Sequence, residues 1–146
     1  MKTLLAFGLT VGIVAFLAYG LSVGAQDTAT SVWDGVYTEE QAQRGDLVYA
    51  KSCAECHGEA LEGMDDSPPL SGSDFLWDWN ELSVGDLFER VRVSMPDGKA
   101  NSVSKQEKAD ALAFILQTNE FPAGDTEIAP STQALRPIAI LAVKPE

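Results

Sequence analysis

The sequence predicts a small all-α fold, and three observations predict it. Several segments open with a helix-capping pattern and continue with apolar residues spaced along one helical face. No stretch of useful length alternates apolar and polar residues with period two, so no sheet is expected. The chain has 146 residues, no internal repeat and no second set of elements, which suits one modest domain behind an apolar N-terminal segment.

That N-terminal segment comes first. Lys2 is the only charge before Asp27, and the run from Leu4 to Val23 is apolar or small, broken by Gly8, Gly12 and Gly20. Val23-Gly24-Ala25 matches a small-residue cleavage site, so residues 1–25 read as a signal peptide and the mature chain starts at Gln26. The alternative is an uncleaved anchor, because a run of about twenty apolar residues can span a bilayer. An N-terminal extension over 26–35 follows, then the main domain over 36–124 and an irregular tail over 125–146.

Thr38-Glu39-Glu40-Gln41 is a capping box, with Thr38 as N-cap and two acids at the positive helix end. The helix it opens runs to about Ser52, with Ala42, Gly45, Val48 and Tyr49 on one side. Gly45 costs about 1 kcal/mol relative to alanine inside a helix, which a close helix–helix crossing would explain. This helix delivers the chain into Cys53-Ala54-Glu55-Cys56-His57. Residues 58–80 read as loop, with Gly58, Gly63, Pro68, Pro69 and Gly72. Ser83, with Asp86 three residues on, opens a second helix bearing Leu87, Phe88 and Val91; it ends near Met95 because Pro96 disfavours helical geometry before it. Ser104-Lys105-Gln106-Glu107 opens a third helix, on which Ala109, Leu112, Ala113 and Leu116 form one stripe. Asn119, Pro122 and Gly124 end it. The apolar Ile138-Ala139-Ile140-Leu141 in the tail either packs back onto the domain or meets a partner.

The chemistry lies in residues 53–57. C-x-x-C-H is the pattern of covalent haem attachment: two thiols, Cys53 and Cys56, for two thioethers, and His57 beside them to ligate iron. The chain has two cysteines and one histidine, and all three are in this pentapeptide. A structural zinc site needs a fourth ligand that nothing marks. A thioredoxin-like motif would sit near a βαβ pattern, and there is none. Haem c, one per chain, is the cofactor expected. With no second histidine, methionine is the candidate sixth ligand. Met64 lies only seven residues past His57, too near to circle the ring edge easily. Met95, thirty-eight residues on and followed by Pro96, has the reach.

Lys and Arg number 10 against 22 Asp and Glu, a net charge of −12, or −13 once Lys2 is removed with the signal. Such a surface repels nucleic acid and anionic lipid. It favours a partner with a basic patch; the plainer reading is solubility alone.

The order of these features resembles the class I monohaem c-type cytochromes: a helix with Gly45 and Tyr49, Cys53-Ala54-Glu55-Cys56-His57-Gly58, Pro69-Leu70, Met95-Pro96 and a capped last helix, over about residues 36–124. Ser83 to Pro96 and Asn119-Glu120-Phe121-Pro122-Ala123-Gly124 are similar, more narrowly, to the cytochrome domains and subunits of pyrroloquinoline-quinone (PQQ)-dependent alcohol dehydrogenases. The resemblance implies a small cytochrome c fold, three main helices around one covalently bound haem, with haem joined outside the bacterial cytoplasm. It implies that the first and last helices cross, with Tyr49 against Leu112 or Leu116. It implies that a proline carbonyl, Pro69 by position with Pro68 as the alternative, accepts the proton on the second nitrogen of His57. Trp77 and Trp79 fall where relatives line the haem edge or bond a propionate; as plain core or lid aromatics they need no such role. The function implied is a periplasmic electron carrier, not an enzyme in itself, between redox proteins and fed by a separate PQQ-dependent dehydrogenase. Two rivals are a haem-based gas sensor or peroxidase-like protein with an open sixth position, and a haem-bearing docking subunit that uses its tail. An uncleaved segment 4–23 would anchor the protein to the inner membrane.

Overall fold

A computed structural model describes residues 31–146. The apolar segment, the expected cleavage site and residues 26–30 of the extension lie outside the described residues. The described chain is helical, with no strand longer than an isolated bridge. Ser31 caps a single 3-10 turn, Val32–Asp34. The helices are α1 Glu39–Ser52, α2 Ala54–His57, α3 Gly72–Trp79, α4 Val84–Ser94, α5 Lys105–Thr118 and α6 Thr132–Leu135, with a 3-10 turn at Ala100–Ser102.

The crossing of α1 and α5 organises the core. Gly45 is buried against α5, where a Cβ would overlap the main-chain carbonyl oxygen of Asp110 and crowd Phe114. Only a residue without a side chain lets the two backbones approach so closely. One turn further along, the Tyr49 ring meets Phe114 at 5.4 Å between centroids. The aromatic partner of Tyr49 is therefore Phe114. The expected stripe on α5 is too narrow: Lys108 to Ala113 are all buried, with Ile115 and Leu116. This helix is enclosed by α1 on one side and by α4 and the following turns on others, so a single apolar face underestimates it.

Capping follows the sequence with one exception. Ser83 with Asp86 and Ser104 with Glu107 form complete capping boxes. Thr38 caps α1 by accepting from the Gln41 amide at 3.1 Å, but the Gln41 side chain does not turn back. It is buried, receiving the Ile128 amide at 2.7 Å and donating to the Ile128 carbonyl at 3.0 Å. A tail residue with two unpaired backbone groups outcompetes the cap. The segment 58–80 is not all loop: Gly72–Trp79 is a helix, seated by the Asn119 side chain, which accepts from the Gly72 amide at 3.0 Å and donates to the Leu70 carbonyl at 2.9 Å. Its prolines and glycines lie before the helix or at its first residue, Gly72, and their density masked the short apolar run after them.

The tail packs onto the domain. Ile128, Leu135 and Ile140 are buried in the core. Ile140 donates to the Leu82 carbonyl at 2.7 Å, Val84 donates to the Ile138 carbonyl at 2.8 Å, and Val32 donates to the Ala139 carbonyl at 2.9 Å. The tail is thus bonded on one side to the start of α4 and on the other to the N-terminal turn. Gly85 permits this, since a Cβ there would meet the Arg136 amide at 2.7 Å.

Two tests follow from the packing. Gly45→Ala should destabilise the protein by about 1–3 kcal/mol through overpacking against backbone, read as a lower chemical-denaturation midpoint. The second concerns Glu89, which accepts two bonds from Arg92 and one from Thr132 at 2.7 Å, linking α4 to the tail. Arg92 first, and then the Thr132 hydroxyl, hold its carboxyl down at about 2. A depressed folded-state value means the contribution is complete above the usual glutamate range and is lost as pH falls towards about 2. Glu89→Gln should lower the thermal midpoint at neutral pH and flatten its fall over that acid window, so that the two proteins converge as pH approaches about 2.

Candidate functional site

Helix α1 ends at Cys53, whose amide still bonds the Tyr49 carbonyl at 2.8 Å. The chain then makes one tight turn, α2, with the Cys56 and His57 amides both donating to the Cys53 carbonyl at 3.1 and 3.0 Å. Positions three and four apart on a helical turn share a face. Cys53 therefore neighbours both Cys56 and His57 across this turn. Both thiols are free; Cys53 is half-buried against the core and Cys56 is exposed. Burial first, and the neighbouring Cys56, push the Cys53 thiol up to about 11, with Lys108 opposing. A thiol held protonated at neutral pH is poorly suited to disulfide exchange.

The turn after His57 needs unusual backbone. Gly58 has φ 81° and ψ 154°, a region open essentially to glycine, and a Cβ there would collide with the Glu62 carboxylate. Its carbonyl accepts from the buried Tyr49 hydroxyl at 2.7 Å. The Gly63 amide returns to the His57 carbonyl at 2.8 Å, and Leu70 donates to Leu61 at 2.8 Å. Between them Met64 and Ser67 pair backbone to backbone in a four-residue turn.

This reversal brings the Pro68 carbonyl to 2.8 Å from Nδ1 of His57, whose residue is only 8% exposed. A carbonyl can only accept, so Nδ1 carries the proton and Nε2 is the nitrogen with a free lone pair. The residue in contact is Pro68, not Pro69. The Leu70–Leu61 bond sets the loop register, and it is the residue two before Leu70 whose carbonyl faces the ring, while the backbone from Ser67 to Pro69 passes close over Gly63. In a tandem proline, position in the sequence does not tell which carbonyl turns inward.

Met95 caps the end of α4 in extended conformation and is half-buried. Met64 is 49% exposed, in the same loop that supports His57 through Pro68. The two tryptophans separate. Trp79 is half-buried beside Phe75, 6.4 Å between ring centroids, whereas Trp77 is 85% exposed. Residues two apart on a helix do not share a face, so α3 does not present the pair together. Sequence reading missed the Tyr49 hydroxyl as a support of the Gly58 turn; its spacing of nine residues from Gly58 crosses a helix end and carries no pattern.

The donor set fits haem c: two unpaired thiols on one turn, and an imidazole oriented from behind with one nitrogen available. Residues 40–115 match the family model described as cytochrome c oxidase, cbb3-type, subunit III. The chain belongs to this family of c-type cytochromes. It is a small all-α cytochrome with covalently bound haem c and acts in electron transport. Among curated relatives, thiosulfate dehydrogenase of Stutzerimonas stutzeri (strain A1501) is 31% identical over 78 residues, 49% of this chain. The chain spans a quarter of that relative's length, 25%. Among solved structures, the sulfane dehydrogenase SoxCD from Paracoccus pantotrophus aligns at TM-score 0.47 and 24% identity, covering 90% of this cytochrome and 69% of the other chain.

Attachment through two thioethers predicts a mass, under denaturing conditions, equal to the polypeptide plus one haem. Cys53→Ala should leave a singly attached, less stable product, while extraction of haem from the parent by acidified organic solvent would contradict covalent attachment.

Proposed function

We propose that this cytochrome is a periplasmic single-electron carrier with His57 and Met95 as the axial ligands, standing between a dehydrogenase and a terminal acceptor. Haem c, when bound, supplies an iron that exchanges one electron at a time between ferric and ferrous states. The reading is carried by the buried, Pro68-oriented imidazole of the chain's only histidine. Cys53 and Cys56 hold the macrocycle by thioethers. The Pro68 carbonyl fixes the ring of His57 and makes its other nitrogen a better donor. Met95 offers a thioether from the end of α4, and methionine sulfur favours the ferrous state. Met64 serves the loop behind His57 and not the opposite side.

The export reading rests on the N-terminal sequence, with anchoring by residues 4–23 as the alternative. For the donor, two classes are supported differently. The match to thiosulfate dehydrogenase favours a dehydrogenase of sulfur compounds; the likeness of residues 83–96 and 119–124 to PQQ-dependent dehydrogenase cytochromes favours a quinoprotein. Around the attachment motif Glu55, Glu59, Glu62, Asp65 and Asp66 are all exposed. That local charge favours a basic docking face on either partner. A docking role for the tail has less support, because its apolar residues Ile128, Leu135 and Ile140 are buried in the domain. A gas sensor or peroxidase-like protein requires an open sixth position.

The test is Met95→Ala. The ferric sulfur-to-iron charge-transfer band should vanish, the reduction potential should fall, and the ferrous variant should bind CO readily where the parent does not. Met64→Ala should change none of these. Ready CO binding by the unmutated ferrous protein at neutral pH would favour the open-site reading instead.

A further inference from the structure

Lys108 is a charge in the wrong place for a solvated surface. It sits on α5 among buried residues and is 3% exposed. Among the described residues it forms no ion pair. Its Nζ donates instead to two main-chain carbonyls, Arg92 at 2.9 Å and Ala100 at 2.7 Å. Burying an ammonium without a carboxylate is costly, and a lysine is tolerated there only if its donors are well used.

The two carbonyls explain the use. Arg92 is in the last turn of α4, and Ala100 opens the next 3-10 turn, so they bracket residues 93–99 with Met95 between them. A continuing helix would give the Arg92 carbonyl the amide of residue 96, but Pro96 has none. The last helical bond is Met95 to Val91 at 3.1 Å. Lys108 therefore supplies the donor that Pro96 withholds, and its charge lies at the negative end of the α4 dipole. With the same ammonium it holds the far side of the loop. Across that span and the turn that follows it, the backbone bonds are short-range, Lys99 to Pro96 at 2.9 Å and Ser102 to Lys99 at 2.8 Å.

We infer that Lys108 is a positioning residue for the sixth ligand: by tying Arg92 to Ala100 it holds the loop that presents Met95. The inference rests on the reading of Met95 as ligand. It assigns Lys108 no contact with the haem.

The test uses holoprotein carrying Lys108→Met, which keeps length and removes the donors. Global stability is compared with Ile128→Ala, a buried change in the tail. The expected result has three parts. CO should associate with the ferrous variant on the order of tenfold faster than with the parent, as for loss of an outer-sphere support. The ferric sulfur band should weaken. Amide exchange at Met95, Lys99 and Ser102 should accelerate more than exchange across α1. Ile128→Ala should lower the thermal midpoint and leave CO association and the sulfur band as in the parent. If Lys108→Met yields no holoprotein, Lys108→Gln, too short to reach both carbonyls, is read by the same three signals. A Lys108 variant that loses stability but keeps the parent's sulfur band and CO rate overturns the inference alone. A parent lacking the sulfur band overturns it together with Met95 ligation.

Discussion

Everything else in this cytochrome depends on two backbones being allowed to touch. The absence of a side chain at Gly45 lets α1 lie against the Asp110 carbonyl of α5. That contact fixes the axis of α1, and the axis of α1 fixes where Cys53 leaves it. Asp110 then serves twice. Its carbonyl forms the floor of the crossing, while its carboxylate, almost buried, accepts from Arg44, Gln41 and Gln106. Arg44 is strongly held in its charged form by Asp110 first and Glu127 second. The bidentate pairing orients α1 about its own axis, where apolar packing alone would leave rotation poorly specified. Arg44 is half exposed, so the value of the pair lies in geometry more than in stability.

The sequence was most legible where one residue type has one physical use. C-x-x-C-H, Gly45 in a helix, Met95 before Pro96 and two of the three capping boxes all turn up where local chemistry places them. Legibility failed where a choice is settled by distant chain. Gln41 could cap Thr38, but the Ile128 backbone claims it from 87 residues away. Pro68 and Pro69 are locally equivalent, and the register of the loop decides between them. Trp77 and Trp79 could be ordered only once the segment was known to be a helix. Lys108 did leave a signal: a cation four residues before Leu112, within the buried sector of α5. Such a charge reads as a surface residue until the carbonyls that need it are known.

The tail shows how a small helical protein can economise on sheet. Ala139 is bridged to Ser31 on one side and to Ser83 on the other, so single rungs of pairing replace a third layer. The Trp33 indole donates to the Leu141 carbonyl at 2.8 Å, and the Asn80 side chain accepts from Ala142 at 2.8 Å. These bonds dispose of backbone groups that an extended tail would otherwise present to solvent or bury unpaired. They also brace the entry to α4, whose other end carries Met95.

The α1–α5 crossing has a consequence in time. Gly45 and Asp110 are separated by more than half of the described chain, so the core closes by non-local contacts whose loop entropy must be met first. Cys53 is packed against that core once it forms. The Cys53 thiol is therefore more accessible while the polypeptide is still open, whereas Cys56 remains exposed after closure. The same closure that brings α1 against α5 thus shelters one thiol of the pair and leaves the other open to solvent.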